Sequence, residues 1–68
     1  MELSARNQLK GTVKEITLGE VMAEVVIDVG GQEVVAAITK SSVQRLGLKV
    51  GDSVLAVMKA TEVLVAKP

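Results

Sequence analysis

The sequence predicts an all-β fold: a five-stranded OB-type barrel with one short helix between its third and fourth strands. Three observations carry that expectation. Thirteen valines, three isoleucines and four threonines in 68 residues favour extended chain. Alternating apolar and polar runs recur, separated by glycine-containing turns. One stretch, SSVQRLGL at 41–48, breaks the period-two pattern after the third run, where an OB-type barrel places its helix. A five-stranded SH3-like barrel is the alternative topology.

The first strand is QLKGTVKEI, 8–16. Leu9, Gly11 and Val13 share one face, and Lys10, Thr12 and Lys14 the other. Gly11 within it permits a bend or the close approach of another backbone. TLGE at 17–20 reads as a turn, and VMAEVVIDV, 21–29, as a second strand with Glu24 and Asp28 on one face. Gly30-Gly31 has the form of a two-residue hairpin loop, and QEVVAAITK, 32–40, returns as the third strand. Ser41 followed by Gln44 has the form of a capping box, which predicts a short helix over 42–46 stopped by Gly47. After a turn at Gly51-Asp52, SVLAVMKA is the fourth strand and TEVLVAK, 61–67, the fifth.

Sixty-eight residues make one domain, 1–68, with no internal repeat, linker or low-complexity segment. A core of that size rarely suffices alone, and the chain has no cysteine or histidine to build a disulfide or a soft metal site. Association with further copies is the remaining route. Parts of the second and third strands, VVI at 25–27 and VVAAI at 34–38, are apolar on both faces, which also points to subunit packing.

Composition excludes several function classes. Without histidine or cysteine there is no ordinary general base or thiol nucleophile, so the chain reads as a non-enzyme. The acidic residues are spaced singly, which gives no hard-cation site. Eight basic and eight acidic side chains cancel, and there is no aromatic residue on which a base could stack, so nucleic acid is not expected. MELSARNQ lacks the basic and apolar regions of a signal peptide, and no apolar run is long enough to span a membrane. The expected location is cytoplasmic.

A small set of donors remains. Arg6 and Lys59 lie beside small or hydroxyl residues, in SAR and KAT, while Thr39 and Ser42 flank the helix start. With Ser41 as cap, the Ser42 hydroxyl would be left to donate outward. Guanidinium, ammonium, hydroxyls and backbone amides together suit a compact anion with several acceptor oxygens. Taken singly, each has an ordinary structural role, as cap, solvated strand residue or surface ion pair, and spacing alone does not bring them together.

SARNQLKGTV, AEVVIDVGGQEVVAAIT, RLGL and VMKATEV, in that order from Ser4 to about Val65, resemble the molbindins, the small molybdenum–pterin-binding (Mop) family. Related domains occur in molybdate-responsive regulators and transporter ATPases; no DNA-binding or ATPase portion is expected here. The resemblance implies an OB-type fold, assembly as a hexamer (a trimer of dimers), and storage or buffering of molybdate or tungstate in the cytoplasm. It implies no cofactor beyond that oxyanion and no metal held as a cation. It places the oxyanion site between subunits: Ser4, Arg6, Lys59 and the backbone of Ala60 from one, Thr39 and Ser42 from its neighbour. Asn7 and Gln8 are expected to hold the start of the first strand through backbone hydrogen bonds. With no aromatic side chain the chain is poorly equipped to stack a pterin ring. The competing functional readings are a sequence-tolerant single-strand-binding OB module and a purely structural assembly domain.

Overall fold

A computed structural model describes residues 4–68; the first three residues of the MELSARNQ stretch lie outside the described residues. The order is β1 (Asn7–Leu18), β2 (Met22–Val29), β3 (Gln32–Thr39), α1 (Lys40–Leu46), β4 (Ser53–Met58) and a 3-10 turn, Ala60–Glu62. The strands form one antiparallel sheet in the order β3-β2-β1-β4.

The alternation read in the sequence sets the faces. Ala23, Val25 and Ile27 of β2 are buried, while Glu24 and Asp28 on the opposite face are exposed. β2 and β3 join at Gly30 and Gly31, whose φ values of 58° and 88° meet the demand of a two-residue hairpin for positive φ at both central positions. Gly11 behaves as expected of a point of close approach. A Cβ there would lie 2.6 Å from both the Asp28 carbonyl oxygen and Ile27 Cγ2.

β1 departs from simple alternation. Val13 pairs with Ile27 and Glu15 with Val26, so Lys14 is an extra residue in a bulge. The bulge turns Ile16, rather than Glu15, towards the core beside Val13. Lys14 reaches out to the exposed Glu33 carboxylate, which lifts the lysine above its ordinary range; a pair this exposed adds little stability. The turn after β1 falls later than expected, at 19–21, because Thr17 and Leu18 remain paired to β2 and Gly19 N–H donates to the Met22 carbonyl.

Two further expectations fail here. The helix starts at Lys40 and not at 42. Among the described residues the fifth strand is absent: the chain enters the 3-10 turn at Ala60, and 63–68 pair with no described strand of the same chain. A segment of high strand propensity becomes a strand only where an edge supplies its hydrogen bonds, and the turn carries this one away from β4. The sheet is therefore curled but open between β3 and β4, and the expected five-stranded barrel is incomplete.

The core is correspondingly thin. Val13, Ala23, Val25, Ile27, Val43 and Ala56 are its buried residues. The radius of gyration is 12.5 Å, against about 11 Å expected for a compact chain of this length. Gly11→Ala is expected to destabilise the protein by about 1–3 kcal/mol, the usual cost of overpacking. Urea unfolding of the two proteins measures it, and an unchanged midpoint would show that β2 can move aside.

Candidate functional site

The donors singled out in the sequence lie in two groups. The first is at the start of β1 and the end of β4. Asn7 pairs with Met58 there, so the next positions outward on the two segments are Arg6 and Lys59. Ser4, Arg6, Lys59 and Ala60 are all exposed. Gln8 Nε2 donates to the Ala5 carbonyl at 3.1 Å and ties the SAR segment to the strand that follows, the role expected of it. Asn7 is a half-buried member of the β1–β4 ladder. Lys59 is extended, and the turn after it closes through Glu62 N–H to the Lys59 carbonyl and Val63 N–H to that of Ala60. The Ala60 N–H begins that turn, where amides have no partner within it.

The second group is at the end of β3. Thr39, not Ser41, caps the helix. It is extended (φ −73°, ψ 148°) and its Oγ1 accepts from Ser42 N–H at 3.0 Å. Lys40 N–H is held by the Val21 carbonyl, so the strand hands over to the helix two residues before the expected capping box. Ser42 thus becomes the third helical residue. Its hydroxyl is not unengaged, as the capping-box reading implied. Ser42 Oγ accepts from Thr39 Oγ1 at 2.7 Å and, at a longer 3.4 Å, from Arg45 Nη2; Thr39 Oγ1 also lies 3.3 Å from Ser41 Oγ. With two donors directed at its oxygen, Ser42 still keeps its own proton. Arg45 was missed in the sequence reading; its three-residue spacing from Ser42 on one helix was the available signal.

The two groups stand at opposite ends of β1. Thr39 pairs with Met22, next to the Leu18–Ala23 end of the β1–β2 ladder, whereas Arg6 and Lys59 flank the Asn7–Met58 end. One chain therefore assembles the cations and the Ala60 amide in one place and the hydroxyls in another. Among the described residues, no three acidic, histidine or cysteine side chains come together as cation ligands, and no helix is long and apolar enough to cross a membrane.

Thr39→Ala is expected to cost about 1 kcal/mol through loss of the cap, and Ser41→Ala much less. Urea unfolding of both variants distinguishes them. Equal losses would return the capping role to Ser41.

Comparison with known proteins agrees with this architecture. Residues 3–65 match the model of the TOBE domain. Molybdenum-pterin-binding protein 2 of Clostridium pasteurianum is 46% identical over 66 residues, covering 96% of this chain and 97% of that protein. A solved molybdate-binding protein from Sporomusa ovata superposes with a TM-score of 0.95 at 55% identity, over 98% of this chain and 100% of that one. The cytoplasmic molybdate-binding protein ModG, solved with molybdate bound, superposes with a TM-score of 0.84 at 52% identity, over 88% of this chain and 43% of that one. On a family match across nearly its whole length, and on relatives that share both its sequence and its curled sheet, this chain belongs to the TOBE-domain family and within it to the molybdenum–pterin-binding (Mop) proteins.

Proposed function

We propose that this protein binds molybdate or tungstate, as the oxyanion, at sites between the subunits of a homohexamer, and stores or buffers it in the cytoplasm without a catalytic step. The observation that carries this reading is the register at the end of the β1–β4 ladder. Beyond the Asn7–Met58 pair the two segments run on to Arg6 and Lys59, which puts two cations at one end of the ladder. Two cations at one end of a sheet favour an anion between them. Ser4 and the Ala60 amide add neutral donors at the same end.

The division of the donors supports an inter-subunit site. Thr39 and Ser42 cannot meet Arg6 and Lys59 within one chain, but they can complete the site from a neighbour. The thin core and the exposed apolar residues support assembly, here taken as a trimer of dimers. Relatives described as molybdate-binding support the choice of ligand. Closure of one subunit on another removes water, and charge-assisted bonds strengthen in the drier site. Molybdenum or tungsten is then cargo in its oxyanion, and no metal cation or cofactor is needed.

Calorimetric titration of the protein with molybdate in sulfate-containing buffer tests the reading. Saturable heat that sulfate does not diminish is expected; heat abolished by sulfate would leave only a generic anion pocket. Arg6→Ala should weaken binding by about 2 kcal/mol, roughly thirtyfold, and an unchanged affinity would remove Arg6 from the site.

A further inference from the structure

We infer that Arg45 belongs to the proposed oxyanion site: it brings a third cation, from the subunit that supplies Thr39 and Ser42, and sets a preference for doubly over singly charged tetrahedral oxyanions. The inference rests on the reading above and adds to it the residue that discriminates ligand charge.

Arg45 lies three residues beyond Ser42 in α1, the spacing at which two side chains of one helix face meet. Helical side chains lean towards the N-terminus, which carries the guanidinium back over Ser42. Its Nη2 approaches Ser42 Oγ at 3.4 Å, while the same oxygen already accepts from Thr39 Oγ1 at 2.7 Å. One long bond engages one of five N–H groups and leaves the rest to a ligand. Arg45 is exposed, and the one ion pair among the described residues is Lys14–Glu33, so no carboxylate there neutralises it. An oxygen that accepts from the Ser42 hydroxyl at about 2.7 Å lies no more than about 6 Å from this Nη2, close enough for charge to act strongly.

The ordinary work of a last-turn arginine is to complement the helix dipole and to bond the final carbonyls. The carbonyls of Val43 and Gln44 are already taken by the amides of Leu48 and Gly47. The guanidinium instead leans towards the hydroxyl cluster at the other end of the helix. In the proposed site Arg6 and Lys59 approach the anion from one subunit, and Arg45 with Ser42 from its neighbour. Coulomb attraction scales with the ligand's charge, so each added cation favours a dianion over a monoanion of the same shape.

Calorimetric titration with molybdate and with perrhenate, a tetrahedral oxyanion of similar size and single charge, tests the assignment on the full chain. Arg45→Ala should weaken molybdate binding about tenfold and perrhenate binding about threefold, since the lost attraction is halved for the monoanion. Arg45→Lys keeps the charge and should keep the native preference. Arg45→Gln keeps the stem and a neutral donor, and should discriminate as poorly as alanine. Equal losses for both anions would mean that Arg45 acts only on the placement of Ser42, and they overturn the inference. Unchanged affinities, or a lysine variant that behaves as alanine does, overturn it as well. The failures are separable. Native protein that takes up neither anion sinks the proposed function and this inference together. Native protein that binds molybdate, loses affinity in Arg6→Ala and keeps it in Arg45→Ala sinks this inference alone.

Discussion

The fold depends on a handover within β1. At Thr12 the strand has a partner on both sides, Asp28 of β2 and Ser53 of β4. Before it, from Asn7, β1 is laddered to β4; after it, to Leu18, β1 is laddered to β2. Two irregularities flank this point. Gly11 lets the end of β2 come within reach of the backbone, and the bulge at Lys14 returns Ile16 to the interior. Together they coil the sheet and wrap a small apolar face round Val13, its most deeply buried large side chain. The same handover decides where chemistry can sit, because residues before and after β1's midpoint belong to opposite ends of the sheet.

What could be read in the sequence was whatever local chemistry decides. Gly30-Gly31 specifies its hairpin without help from the rest of the chain, and the alternation around Ala23, Val25 and Ile27 specifies a face. Gly11 inside a strand signalled a bend or a close approach, and the structure shows the close approach. The failures share a cause, which is that distant partners decided them. Ser41 and Gln44 make a sound capping box in isolation, but the Val21 carbonyl holds Lys40 N–H and starts the helix earlier, at the end of β3. The bulge at Lys14 depends on register against β2. TEVLVAK has strand composition, yet composition does not provide an edge to pair with.

The candidate site divides along the same line. SAR and KA stood out as residue types, but only the Asn7–Met58 register shows that they share one end of the sheet. That Thr39 and Ser42 belong elsewhere follows from the pairing of Thr39 with Met22. The protons are divided too. Thr39 gives its own to Ser42 Oγ, so within this pair Ser42 is the hydroxyl that keeps a proton to donate.

A site split in this way ties ligand to assembly. In the proposed arrangement one subunit offers two cations without enough neutral donors to surround a tetrahedral anion, and its neighbour offers directed hydroxyls without the Arg6–Lys59 pair. Neither half alone can replace the water that a doubly charged oxyanion gives up on entering a dry pocket. The anion then binds the associated form far better than the separate chains. By linkage, the free energy that association contributes to binding is the same free energy that the anion contributes to association. A chain whose own core is this small gains doubly from such coupling. In that arrangement the ligand would fill a gap in charge where subunits meet, and their meeting would cover apolar surface that a single copy leaves exposed.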